Sequence, residues 1–321
     1  MSIPKSLEQN FNQATIELIE NSIPRFAELG INLIESDGAK VLDFAIGRAG
    51  SIAAGVLLGE ICMGTLATIE CVEPAEDLDL HQIKVSSSCP LLACIGSQYA
   101  GWPLSYEKYF AMCSGPMRLL RGKEAVLAEY DLHQTSDVAV GVLESNEIPG
   151  PEVLKKVAEE CGVNSSGLWL CIARTASNPG ALQVVARSIE TAMHKLHELK
   201  FDLGTIVEAT GRAPLPPIPE DDMTALGWTN DSMLYGASVE LHVDTEDDAV
   251  EAVLEKIPSS YSQEFGLPFL EIFNRYDKDF YKIDKMLFSP AAIEIFNRRT
   301  NRRFEAGKIR NDILKSSFGI S

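Results

Sequence analysis

Leu7, Phe11, Ala14 and Leu18 are spaced four, three and four apart, as on one face of a helix. Residues 31–46 hold two β-prone runs around Asp37-Gly38, which predicts a hairpin. Residues 50–64, rich in Gly and Ala, predict a closely packed helix, and residues 65–72 and 81–87 predict strands. From residue 137 the pattern sharpens. Residues 137–145 read as a strand. Residues 149–162 read as a helix, with Pro near its start and Gly162 past its end. Another strand (167–173) and another helix (181–199) follow, then a strand at 204–210. That strand leads into 211–222, a Pro-rich loop and a candidate lobe boundary or active-site loop. Residues 237–244 predict a strand, and 293–307 predict strand, polar turn and strand. Alternating elements in the middle and hairpins near both ends favour an α+β chain in two lobes over a doubly wound sheet.

Composition narrows the function classes. The chain has 321 residues, 45% of them hydrophobic, enough for one large domain or two medium ones. With 28 basic and 46 acidic residues the net charge is −18. Nucleic acid and anionic membranes reward a basic surface, so neither is an expected partner. The polar N-terminus has no apolar run of the export kind, and no stretch reaches the ~20 apolar residues of a membrane span. Seven cysteines lie in or near apolar runs, as buried reduced thiols of a cytoplasmic protein would.

Most motif searches end in bland readings. Cys89 and Cys94 lack the order and spacing of a zinc deaminase, and His194 and His197 lack a surrounding metal motif. No phosphate-binding GxxxxGK[ST], dinucleotide GxGxxG or G-x-S-x-G elbow occurs. On helix 181–199, Val184, Val185, Ile189, Ala192, Met193 and Leu196 form an apolar stripe. Arg187, Glu190 and His194 lie together off it, and their spacing alone reads as a solvent-facing ion pair. The run 297–303 reads as a solvated hairpin tip. Four stretches (97–102, 113–118, 208–214 and 227–236) read as loops that join glycine to ring or amide side chains. Together they suggest a flat polar ligand, with glycine allowing close approach and aromatic rings stacking on it.

Residues 59–70, 97–102 (SQYAGW), 109–118 (YFAMCSGPMR), 186–191 (ARSIET), 229–236 (TNDSMLYG), 267–284 and 313–319 resemble the methenyltetrahydromethanopterin cyclohydrolase family, in order and over essentially the whole chain. The resemblance implies two α+β lobes with the pterin in the cleft between them, a cytoplasmic homotrimer, and no metal or permanently bound cofactor. It implies reversible hydrolysis of 5,10-methenyl-tetrahydromethanopterin to the 5-formyl form, in methanogenesis or methylotrophic one-carbon metabolism. It assigns the water chemistry to Arg187 and Glu190. Substrate contacts are expected from Gln98, Gly101, Trp102, Ser114, Gly115, Pro116, Arg118, Thr210, Gly211, Asn230, Asp231 and Tyr235. Arg118 is expected to face an anionic part of the substrate. Tyr99 stands where some archaeal members carry Lys, so no role for that Lys transfers. The alternatives are a non-catalytic pterin-binding protein, a cyclohydrolase for another tetrahydropterin, and a metal-dependent amidohydrolase.

Overall fold

A computed structural model describes residues 9–74 and 78–320. The chain divides into two compact units. The first takes the chain up to Thr68 and from Leu92 to Gln183; the second takes Ile69–Leu91 and everything from Val184. The crossings therefore fall at 68/69, 91/92 and 183/184, and the Pro-rich segment 211–222 lies wholly inside the second unit.

The first unit is built on a six-stranded mixed sheet in the order β1-β2-β8-β7-β6-β5. Its strands are β1 (Asn32–Ser36), β2 (Ala39–Asp43), β5 (Trp102–Tyr106), β6 (Tyr109–Ser114), β7 (Ala139–Glu144) and β8 (Leu168–Ala173). Its helices are α1 (Phe11–Ser22), α2 (Phe26–Leu29), α3 (Ile52–Cys62), α4 (Arg118–Arg121), α5 (Ala125–Glu129), α6 (Pro151–Cys161) and most of α7 (Asn178–Val185). The predicted hairpin forms as β1–β2. Asp37 and Gly38 both have positive φ (49° and 82°), which a two-residue turn of the hairpin type requires. β8 lies parallel to both β2 and β7. β8 is buried along its whole length, so it reads as an apolar run without alternation. Leu154 and Val157 of α6 cover one face with Leu143, Leu168 and Leu170. Ile16 and Ile19 of α1 and Leu58 and Ile61 of α3 cover the other, over Val140, Val142 and Trp169. The Gly/Ala-rich helix packs as closely as predicted: a Cβ on Gly55 would stand 2.8 Å from Leu182 Cβ.

The second unit has another six-stranded mixed sheet, β12-β11-β10-β9-β4-β3. Its strands are β3 (Thr68–Val72), β4 (Gln82–Ser87), β9 (Ile206–Pro214), β10 (Ser238–Val243), β11 (Ala292–Asn297) and β12 (Arg302–Gly307). Its helices are α8 (Ser188–Glu198), α9 (Asp222–Gly236), α10 (Asp247–Glu251), α11 (Phe269–Arg275) and α12 (Asn311–Phe318). Leu234, Phe269, Ile272 and Leu314 gather α9, α11 and α12 into one apolar cluster.

Four expectations need correction. The buried face of α1 is Phe11, Thr15, Ile16 and Ile19, with Asn12; Ala14 and Leu18 are only half-buried, and Leu7 lies outside the described residues. Asn12 is buried because its amide serves two elements, donating to Pro116 O and accepting from Val140 N–H. The helix 181–199 is two helices, α7 and α8, interrupted at Ala186–Arg187. Residues 211–214 are strand, since β9 runs on to Pro214 and pairs with β4 and β10. Residues 227–236 are the second half of α9, whose start is capped by the Asp221 side chain on Thr224 N–H.

Candidate active site

Arg187 and Glu190 both belong to the second unit. The turn at Ala186–Arg187 carries neither Pro nor Gly, and Arg187 N–H bonds back to Val184 O, three residues away, at 3.0 Å. The break therefore has a tertiary cause, and it falls just past the crossing between units. Arg187 becomes the residue before the first turn of α8, with no side-chain cap, and Glu190 stands in that turn. A carboxylate there is favoured by the helix dipole. The solvent-facing reading of the pair fails: Arg187 is 9% exposed and Glu190 7%. Charges are costly to bury, so two charged residues held this deep at the start of a helix are candidates for a site, unlike a surface pair.

Gly211 of β9 supports this turn. A Cβ there would lie 2.2 Å from Ser188 Oγ and 3.1 Å from Ile189 Cγ1, so α8 begins directly on the glycine. Ser188 did not stand out in the sequence. Its hydroxyl is buried and has no hydrogen-bond partner among the described residues. Thr210, next to Gly211, points to the other face of the sheet, where its hydroxyl lies 3.3 Å from Ser86 Oγ.

The three candidates on α9 are engaged within the fold. Asp231 is fully buried; it accepts from Phe269 N–H at the start of α11 (2.8 Å) and from Ser317 Oγ of α12 (2.5 Å). Burial raises its carboxyl to about 7, although both hydrogen bonds act the other way. Tyr235 donates its hydroxyl to Leu267 O at 2.5 Å and accepts from Gly266 N–H. Asn230 returns its amide to Leu226 O one turn back, at 2.9 Å.

The remaining candidates lie in the first unit. Leu91–Gln98 is a π-helix, and Gln98 is its buried last residue. Gly101 leaves room for the Tyr99 ring: a Cβ would stand 2.6 Å from it. Trp102 is 1% exposed, packs in the core and carries Arg121 over its ring at 4.3 Å. It is a core residue with no face open for stacking. Ser114 Oγ is 3.2 Å from Cys62 Sγ and 3.3 Å from Val142 O. Gly115 has φ 94°, and a Cβ would meet the β7 backbone at 3.1 Å. Pro116 is buried beside it. The turn 114–116 thus locks β6 onto β7.

Arg118 is fully buried and is not placed as a counter-charge for a ligand. Its guanidinium pairs with Glu124 at 2.7 Å and donates to the carbonyls of Ile95, Gly96 and Ser97. Glu124 is a second residue that the sequence did not single out. The arginines of the 297–303 turn are taken by acids, Arg298 by Glu208, Arg299 by Asp244 and Arg302 by Asp247, as a solvated tip would be. Among the described residues no three His, Cys, Asp or Glu side chains gather as around a metal ion. No helix among them is long and apolar enough to cross a membrane.

The sequence profile of the cyclohydrolase (MCH) family matches residues 10–318. The chain belongs to this family. It is 48% identical over 289 residues to the methenyltetrahydromethanopterin cyclohydrolase of Rhodopirellula baltica, covering 88% of this chain and 87% of that protein. Proteins of the same name from Methylobacillus flagellatus and Methanococcus aeolicus are each 39% identical. Those alignments cover 98% and 96% of this chain and 97% of each relative. The family thus includes proteins from bacteria and methanogens that match most of this chain's length.

Proposed function

We propose that this chain reversibly hydrolyses 5,10-methenyl-tetrahydromethanopterin to the 5-formyl form, the activity named for its relatives. The observation that carries the reading is the burial of Arg187 and Glu190 together at the start of α8. The methenyl carbon lies between two nitrogens of a delocalised cation and is already electrophilic. It needs a held water and a proton acceptor. Glu190 takes one proton as the water oxygen bonds to the methenyl carbon. Arg187 orients the carboxylate and the water. The bond from that carbon to N10 then breaks, its electrons stay on N10, and Glu190 returns the proton there. The added hydroxyl loses its remaining proton to solvent as it becomes the formyl oxygen on N5. One water is consumed and one proton released. No step calls for a resident metal or cofactor, because the substrate carries its own charge.

The reading extends to a cytoplasmic homotrimer, which sedimentation of the purified protein checks. The deciding assay follows loss of the methenyl chromophore, with methenyl-tetrahydrofolate beside it and with and without chelator. Rapid, chelator-resistant loss of the methanopterin form is the expected result. Glu190→Gln should bind substrate yet turn it over at least ~100-fold more slowly, the scale of a lost general base. Undiminished turnover in that variant would remove Glu190 from the mechanism. Binding without turnover in the wild type would make the protein a pterin carrier.

A further inference from the structure

The π-helix Leu91–Gln98 raises a question of stability. Hydrogen bonds five residues apart are rare in proteins, and such turns persist where something outside the helix holds them. Here Tyr99 N–H bonds to Cys94 O at 2.8 Å, five residues back. The carbonyls at the end of a helix lack partners within it. At this end three of them, on Ile95, Gly96 and Ser97, converge on a single nitrogen, Arg118 Nη1, at 2.8, 3.1 and 3.3 Å. The other edge of the same guanidinium grips Glu124, Nε to Oε1 at 3.3 Å and Nη2 to Oε2 at 2.7 Å. The Tyr99 ring lies against it, 5.1 Å from centroid to guanidinium carbon. Gly115 N–H also donates to Ser97 O, and Ser97 Oγ donates to Cys62 O, so the helix end is fastened from two sides. Burying an arginine is costly unless it is paired and hydrogen-bonded, and here both conditions are met.

We propose that Arg118 is a positioning residue: with Glu124 it holds the end of the π-helix in its five-residue register and so sets where Gln98, Tyr99 and Gly101 stand. This rests on the proposed function only in taking residues 98–101 as part of the substrate site. Arg118 acts through that segment and does not touch the ligand. Relaxing one π-turn to an α-turn slips the chain by one residue, which swings Gln98 by about 100°. Lysine cannot replace the arginine fully, since an ammonium has no planar fork to bridge a carboxylate and three carbonyls.

The test uses the full chain carrying Arg118→Met, Arg118→Lys or Glu124→Gln. Amide hydrogen exchange over residues 91–101 is read beside KM and kcat for methenyl-tetrahydromethanopterin. Arg118→Met should raise exchange at 95–99 at least tenfold. It should also raise KM by a larger factor than it lowers kcat. Arg118→Lys and Glu124→Gln should fall between it and wild type, and they carry the test if the Met variant does not fold. Unchanged exchange with raised KM would overturn the proposal in favour of direct ligand contact. Raised exchange with unchanged KM would overturn it by leaving the segment outside the substrate site. A wild type without turnover would refute the proposed function, while the exchange data would still decide whether Arg118 holds the helix.

Discussion

Replacing Gly211 by Ala tests whether the turn that carries Arg187 and Glu190 is built on β9. The new Cβ would stand 2.2 Å from Ser188 Oγ, 3.0 Å from Ser188 Cβ and 3.1 Å from Ile189 Cγ1. Nonbonded heavy atoms settle near ~3.5–4.0 Å, so the start of α8 must retreat by roughly 1 Å. Overpacking of this size costs about 1–3 kcal/mol. At ~2–4 °C per kcal/mol for chains of this scale, Tm should fall by about 2–12 °C. Misplacing a reacting group by ~1 Å costs on the order of 100-fold in rate. The chromophore assay should therefore show a kcat loss of that order in protein that remains folded at 25 °C. Adding Ser188→Ala to Gly211→Ala removes the worst contact and should recover part of the loss. Ser188→Ala alone should leave Tm unchanged or raise it, because the hydroxyl it deletes is buried without a partner. A Gly211→Ala enzyme with wild-type kcat would refute the reasoning, since α8 would then not depend on this contact for its catalytic geometry.

Asp231 should give the protein a pH-dependent stability. Its carboxyl is raised to about 7 from an ordinary 3.8, chiefly by burial, so the native state keeps a proton that the unfolded chain has lost. Stability from this group is full below about pH 4, falls as pH rises to about 7, and is flat above. Asp231→Asn keeps an acceptor for Phe269 N–H and does not titrate. Its unfolding free energy from denaturant titration should rise relative to wild type across that window, by on the order of 4 kcal/mol at pH 8; parallel profiles would show that Asp231 stays charged throughout. Gly115→Ala should destabilise the first unit by a few kcal/mol, since φ of 94° and the β7 backbone at 3.1 Å leave no place for a methyl group; calorimetry decides, and an unchanged Tm would show that the turn shifts freely. Arg302→Ala should leave Tm and kcat unchanged despite its pairing with Asp247, because Arg302 is exposed and Asp247 keeps its hydrogen bonds from Asn297 and Thr300; a loss of activity would make the 297–303 turn part of the site.

Local chemistry made much of the fold legible. The Asp37-Gly38 hairpin, the Pro151-to-Gly162 helix, the apolar strands β7 and β8 and the arginine-tipped hairpin each carry their signal within a few residues. The geometry of the candidate site was less legible. Three of the four glycine-bearing stretches read as loops hold regular structure: the end of a π-helix, a continuous strand and the second half of α9. Glycine, serine and asparagine signal turns by local preference, and burial between neighbours overrides that preference.

The sequence by itself determined the α+β class, the family and the presence of Arg187 and Glu190, because hydrophobic period, turn residues and residue identity are properties of neighbours along the chain. Only the tertiary structure decided that this pair is buried, that the helix carrying it begins anew at Ser188 on Gly211, and that Arg118 spends its charge on Glu124 and three carbonyls. Those outcomes depend on which groups meet across long separations, where burial and the pairing of polar groups set the energy. Spacing along the chain carries no record of either.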